Sequence, residues 1–173
     1  MSVDYGLITD STTVVVTGGA QSDNSVHFRN IRIALESQFN TAAGQAGITT
    51  KIFENIDYDT GELAKNTVGS EWVRGTLLPG ETVTETLGQN GRDLHTGIFQ
   101  IDYYCATGIG GFNEKLDTLA NNFRKGLTLT AGAGATVTEV KIRNVSLGVG
   151  RREDAFFIRN IDVSYFAVTT ARS

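Results

Sequence analysis

Two stretches typical of β-strands, joined by a polar segment, constrain the fold of this chain more than any other feature. They run from Trp72 to Pro79 and from Gly97 to Cys105. In the second stretch every other residue is apolar, which is typical of a strand with one buried face. The residues on that face are Phe99, Ile101, Tyr103 and Cys105. The two stretches therefore predict an antiparallel strand pair at the middle of a sheet.

The segment between these strands, roughly residues 80–96, predicts a long projecting hairpin connection. Pro79 has no N–H to donate to a strand ladder, so it predicts the point where the first strand stops pairing. The connection is polar, and Asn90-Gly91 is a typical turn dipeptide.

Length, charge and cysteine content restrict the class of protein. A chain of 173 residues is most simply one domain with its own core. A net charge of -4 disfavours a protein that binds nucleic acid regardless of sequence. A single cysteine excludes an internal disulfide, and Cys105 on an apolar strand face is expected to be a buried, unreactive thiol. No secretion signal or membrane-length apolar run is found, so we expect folding in a cytosol.

Two further segments carry apolar residues at helical spacing. The first contains Phe28, Ile31, Leu35 and Phe39, and the second contains Leu116, Leu119, Ala120 and Phe123. More strands are predicted at residues 51–56, 127–131, 136–150 and 155–168. The apolar residues of the 136–150 strand change parity, which predicts a bulge near Arg143-Asn144.

These elements predict an α+β fold. We expect a mostly antiparallel sheet with both amphipathic helices packed on one face, in a single domain over residues 25–170. Residues 1–24 predict an N-terminal arm that either stays loose or adds a strand to a sheet edge, its own or a neighbour's.

No catalytic, cofactor or metal site is expected. His95 with Asp93 and Asp102 is the nearest approach to an acid–base set, but a projecting loop would leave His95 neither desolvated nor oriented. His27 is interpreted as a surface histidine, and the two histidines lack the companions that a metal site needs. The glycines at 108–111, before the second helix, could hold a small anion, although the P-loop and dinucleotide patterns are absent. A small anion-binding domain is therefore the alternative from another functional class.

Several segments together resemble the tail terminator (tail completion) proteins of long-tailed bacteriophages, in particular the lambda-like family. The segments are residues 31–36, 72–81, Leu87-Gly88 with Gly91-Arg92, and 97–101. The resemblance extends in order over residues 28–168, and the first two dozen residues look like an addition to it.

The resemblance implies a structural virion protein and no enzyme. Members form a hexameric ring that caps the tail tube, ends its polymerisation and provides the docking surface for the head connector. The implied partners are further copies of the chain, the major tail tube protein and a head-tail connector or head-completion protein. DNA would pass through the lumen without specific binding, and no membrane is involved. The implied location is the head-proximal end of the tail, with assembly in the host cytoplasm. Rival interpretations are a head-completion or connector protein and a tail tube subunit.

Two projections are the candidate subunit or ring interfaces, because long ordered projections generally need something to contact. The 80–96 connection would contact neighbouring rings or line the lumen, and the hairpin tip at 150–154 would contact a neighbouring subunit or ring. A solvated loop and an ordinary charged hairpin end are the respective alternatives. The candidate residues are Glu81, Glu85, Arg92, Asp93, His95, Arg151, Arg152, Glu153 and Asp154.

Overall fold

The computed structural model describes residues 24–54, 71–86, 91–134, 137–153 and 155–170. These residues form two helices and seven strands. The helices are α1 (Asn24–Gln45) and α2 (Phe112–Asn121). The strands are β1 (Thr50–Phe53), β2 (Glu71–Thr84), β3 (Arg92–Ala106), β4 (Thr128–Ala131), β5 (Thr138–Leu147), β6 (Arg151–Glu153) and β7 (Phe156–Thr170). Apart from Asn24, which begins α1, the predicted N-terminal arm lies outside the described residues.

One sheet contains all seven strands, in the order β1-β2-β3-β7-β5-β4, with β6 also paired to β7. Only the β1–β2 pair is parallel. Strand β3 is central and pairs with β7 along its whole length, from Arg92 opposite Thr170 to Ala106 opposite Phe156. The predicted α+β class with a mostly antiparallel sheet is confirmed.

The main core lies between the two helices and one face of the sheet, which we call the covered face. Alternation along β3 directs Phe99, Ile101 and Tyr103 to this face, where each is at most 1 % exposed. Both helices add their apolar residues to the same cluster, so the prediction that they share one face is confirmed. The helix residues buried there include Ile31, Leu35, Phe39, Leu116 and Leu119. Cys105 is buried in this core as predicted.

The opposite face of the sheet, which we call the open face, has only a small apolar cluster at one end. Ile52, Trp72, Phe156 and Ile158 form it, and the rings of Trp72 and Tyr104 stack with centroids 4.8 Å apart. Elsewhere no described helix or strand packs over this face. Among the described elements, the helices therefore cover one face of the sheet, and the other face remains mostly part-exposed.

The hairpin between β2 and β3 differs from the prediction. Pairing does not stop at Pro79: β2 continues to Thr84, with a register shift between Pro79 and Thr82. The backbone N–H of Leu77 points away from β3, because it donates to Glu54 Oε2 at 3.3 Å. Two residues later the nitrogen of Pro79 points the same way, so its missing N–H costs the β2–β3 ladder nothing. The predicted 80–96 loop is therefore mostly paired strand.

The other irregularities lie in the β5–β7 hairpin. The predicted bulge is confirmed, as a register shift between Ile142 and Asn144. The Nε of Arg159 donates to the carbonyl oxygen of Gly148 at 2.9 Å, which explains a charged residue on an otherwise apolar strand face. Gly148 itself has no room for a side chain, since a Cβ there would lie 1.8 Å from Asn160 Oδ1.

Candidate functional site

The first candidate interface, which we call the hairpin end, consists of residues 80–86 and 91–92. All of these except Gly91 are exposed. The segment is a hydrogen-bonded ribbon, since Glu85 N donates to Arg92 O at 2.8 Å and Arg92 N donates to Thr86 Oγ1 at 2.9 Å. Glu81, Glu85 and Arg92 thus lie on an ordered exposed projection, and the described part of it is no loose loop.

Asp93 and His95 do not belong to that exposed surface, although the sequence placed them in the projecting loop. Both are buried on the covered face. The ring nitrogens of His95 lie 3.0 Å from Thr82 Oγ1 and 3.0 Å from Thr169 Oγ1. The parity of β3 was the missed signal, because residues 93 and 95 share the face of Phe99.

His27 is also buried, so its interpretation as a surface histidine is wrong. Its Nδ1 lies 2.9 Å from Thr138 Oγ1 on β5. With His95 and Asp93 it forms what we call the histidine cluster, between the start of α1 and the sheet. Burial lowers the pKa of both histidines, and the nearby Asp93 carboxylate opposes that shift. The cluster therefore favours neutral imidazoles that join α1, β3, β5 and β7 through threonine hydroxyls.

The second candidate interface is the tip of the β6–β7 hairpin. Arg151, Arg152 and Glu153 are exposed on β6 and pair with β7. Asp154 lies outside the described residues. The tip is at the Ala106 end of β3 and the hairpin end is at its Arg92 end, so the two interfaces lie at opposite ends of the central strand.

A polar network occupies the open face between these two interfaces. Arg74 pairs with Asp102 at 2.8 Å, and Gln100 Nε2 donates to the other carboxylate oxygen at 2.8 Å. The hydrogen bond to Asp102 is the main cause of a raised pKa for Arg74. On β7, which neighbours β3, Asn160 Nδ2 donates to Asp162 Oδ1 at 3.0 Å. These hydrogen bonds keep the centre of the open face polar, while within the described structure Arg74 Nε is buried without a hydrogen-bond partner.

An exposed apolar pair on the same face was missed from the sequence. Leu78 and Ile98 are directly opposite in the β2–β3 ladder and are 44 % and 40 % exposed. The alternation along both strands places these two positions on the polar face, where an apolar residue is unexpected. Their apolar character at polar-face positions was the signal that the sequence offered. Apolar groups placed together in water favour contact with another surface.

The residues with reactive side chains have structural roles. Tyr103 donates to Glu71 Oε2 at 2.6 Å, and Lys115 pairs with the same carboxylate. Burial raises the pKa of both Tyr103 and Cys105, which disfavours their nucleophilic forms. Within the described ranges no group of histidine, cysteine, aspartate and glutamate is arranged to hold a metal ion. Neither described helix is long and apolar enough to cross a membrane.

The glycines at 108–111 form a turn into α2. Gly108 and Gly111 have positive φ angles of 99° and 81°, a conformation that glycine adopts without strain. The positive φ angles are a sufficient reason for glycine at positions 108 and 111. Anion binding at this turn stays a prediction.

A family model described as phage tail terminator protein matches residues 30–165, which include most of α1, all of α2 and nearly the whole sheet. The chain belongs to the phage tail terminator family. It is therefore a structural component of a bacteriophage tail, and the resemblance noted in the sequence is confirmed. The part of α1 before Asn30 and everything N-terminal to it lie outside the family match.

A solved structure has the same fold. It superposes with a TM-score of 0.60 at 18 % sequence identity, covering 84 % of this chain and 95 % of its own. At this identity the likeness supports the fold and nothing finer. No curated protein matches the chain.

Proposed function

We propose that this protein forms a hexameric ring that caps the tail tube, ends its polymerisation and provides the docking surface for the head connector. The family match over residues 30–165 is the observation that carries the proposal. On this proposal the protein acts at the head-proximal end of the tail after assembly in the host cytoplasm, and it catalyses no reaction. DNA passes through the ring without specific binding.

The distribution of exposed groups supports contact between unlike surfaces. The hairpin end and the β6–β7 tip lie at opposite ends of β3, and the apolar pair lies on the open face near the hairpin end. Contacts between unlike patches of identical subunits close into a ring when the rotation between subunits closes. The same contacts give an open filament if the rotation between subunits does not close. The experiment therefore has to distinguish rings from filaments.

Along the edge of β2, we propose that subunits contact one another through side chains and not through backbone hydrogen bonds between strands. Among the described strands, β1 pairs with Trp72–Gly75, and the rest of β2 lies at the edge of the described sheet. Pro79 removes an outward donor there, and the register shift after it interrupts the edge. A strand from another copy could not pair continuously along this edge.

Electron microscopy of the purified protein, with and without tail tube protein, tests the proposal. We expect single rings alone and tubes that stop growing when the protein is added. Long filaments of the protein alone would instead indicate a tail tube subunit. Binding to a head connector without any effect on tube length would indicate a head-completion protein.

A matched pair of variants tests the role of the apolar pair. Leu78→Asp/Ile98→Asp should abolish rings and tube capping while the melting temperature stays close to that of the wild type. Ile33→Asp is the control, because Ile33 is 40 % exposed but lies on the outer side of α1. Loss of rings in both variants, or in neither, would contradict a role for Leu78 and Ile98.

A further inference from the structure

A shallow groove lies on the open face at the end of the sheet where the hairpin end projects. Its volume is about 290 Å³. Phe166 and Val168 of β7 form an apolar floor together with Val137. Arg92, Lys141 and Glu139 form a charged rim with an excess of one positive charge. A groove with this floor and rim fits an extended peptide that carries apolar side chains and a carboxylate.

The first turn of α1 lies directly across the sheet from this groove. His27 contacts Thr138 on the covered face, and the two sequence neighbours of Thr138, Val137 and Glu139, line the groove on the open face. The strands end here, since β5 starts at Thr138, β3 starts at Arg92 and β7 ends at Thr170. The chain that precedes Asn24 therefore begins beside the end of the sheet, around which the groove is reached.

The composition of residues 1–23 complements the groove. The segment contains Asp4, Asp10 and Asp23 and no lysine, arginine or histidine. It also contains Val14-Val15-Val16, in which Val14 and Val16 point to the same side of an extended chain. The seven residues from 17 to 23 span up to about 23 Å when extended. This length is enough to pass around the end of a sheet whose strands lie about 4.8 Å apart.

We propose that residues 10–17 dock in the groove of their own chain. Val14 and Val16 cover Phe166 and Val168, and the Asp10 carboxylate lies at the basic rim formed by Arg92 and Lys141. The bound segment completes the burial of Phe166 and Val168, which are only partly buried, and covers the exposed Val137. The proposal concerns the single chain, so it does not depend on ring formation.

Cysteine cross-linking tests the placement. Val14→Cys/Val168→Cys should form a disulfide within one chain under mild oxidation, seen as faster migration on a non-reducing gel. The matched control is Val14→Cys/Val149→Cys, because Val149 is exposed beside Gln100 and Asn160, well away from the groove. Cross-linking at both positions or at neither overturns the proposal. A covalent dimer from the 14/168 pair also overturns it, since the segment would then occupy the groove of another copy.

Lysine acylation measured by mass spectrometry tests the docking without cysteines. Deletion of residues 2–20 should raise the acylation rate of Lys141 by about threefold or more, because a docked segment blocks the amine in its major state. Lys125 is an internal control, since it is exposed on the loop before β4 and its rate should not change. Deletion of residues 171–173 should leave Lys141 unchanged. An equal Lys141 rate in the full chain and in the N-terminal deletion overturns the proposal.

Discussion

The two faces of β3 give neighbouring residues opposite fates. Phe99 is 1 % exposed against Phe39 and Phe123, whereas Ile98, the preceding residue, is 40 % exposed on the open face. Both are large and apolar, so hydrophobicity alone does not separate them. On the covered face full burial of an apolar residue stabilises the fold, while on the open face the exposed part of Ile98 contributes nothing unless another surface covers it. The sheet therefore has one face that stabilises the fold and one face on which a large apolar side chain stays partly in water.

The largest expected effect on stability comes from replacing Phe99, and the matched change at Ile98 tests the comparison directly. Phe99→Ala should lower the free energy of unfolding by about 3–5 kcal/mol, because it removes buried area and leaves a cavity in the main core. Ile98→Ala should lower it by less than about 1 kcal/mol, since that side chain is already partly in water. Urea denaturation of both variants at one pH measures the difference. Similar losses for the two residues would remove the distinction between the faces.

A second, somewhat smaller effect concerns space on the covered face. A Cβ on Gly97 would lie 2.4 Å from Tyr165 Oη and 2.8 Å from the carbonyl oxygen of Leu78. Gly97→Ala should therefore destabilise the protein by about 1–3 kcal/mol, through displacement of the tyrosine. Gly110→Ala is the control, because a Cβ added at Gly110 would meet no other atom within 4 Å. Thermal melting of both variants provides the measurement, and partial recovery is expected in Gly97→Ala/Tyr165→Phe.

The histidine cluster makes the covered face sensitive to acid, which the open face should not share. Burial lowers the pKa of His27 and His95 from 6.5, so the unfolded chain takes up protons at a higher pH than the folded protein. Their contribution to stability is complete above pH 6.5 and is lost as the pH falls towards the folded values. Melting temperatures between pH 7.5 and pH 5 should fall in the wild type. A His27→Gln/His95→Gln variant should have a flatter profile, and an equal slope would exclude the histidines as the cause.

The smallest expected effect on folding is at the β6–β7 tip. Arg151→Glu/Arg152→Glu should change the free energy of unfolding by no more than about 0.5 kcal/mol, because both side chains are exposed and exposed charge pairs contribute little. The same variant should weaken ring formation or docking if the tip is an interface. If the variant still forms rings that cap tubes, the tip is not an interface and is an ordinary charged hairpin end.

The parts of the fold with strict periodicity could be predicted from the sequence. The alternation from Phe99 to Cys105 and the helical spacing in both helices correctly identified the covered face. The parity change near Arg143-Asn144 identified the bulge. These signals are local, because each depends only on residues within one strand or helix.

The errors arose where distant residues decide the outcome. Pro79 does not end its strand, because its nitrogen points away from β3 and no hydrogen bond of that pair is lost. The sequence alone does not show which edge of β2 is paired. His27 and His95 are buried because threonines from β5, β7 and the hairpin supply their partners. The apolar pair Leu78 and Ile98 becomes visible only once the register places the two side by side. Periodicity therefore located the core, and register was needed to locate the candidate assembly surface.

The interrupted edge of β2 also bears on the protein before it assembles. A regular unpaired edge of this length invites other chains to add strands, which is the first step of amyloid growth. The absent N–H at Pro79 and the shift that follows it deny such an addition its continuous row of donors. A second chain therefore finds no continuous template along this part of β2 from which a fibril could start.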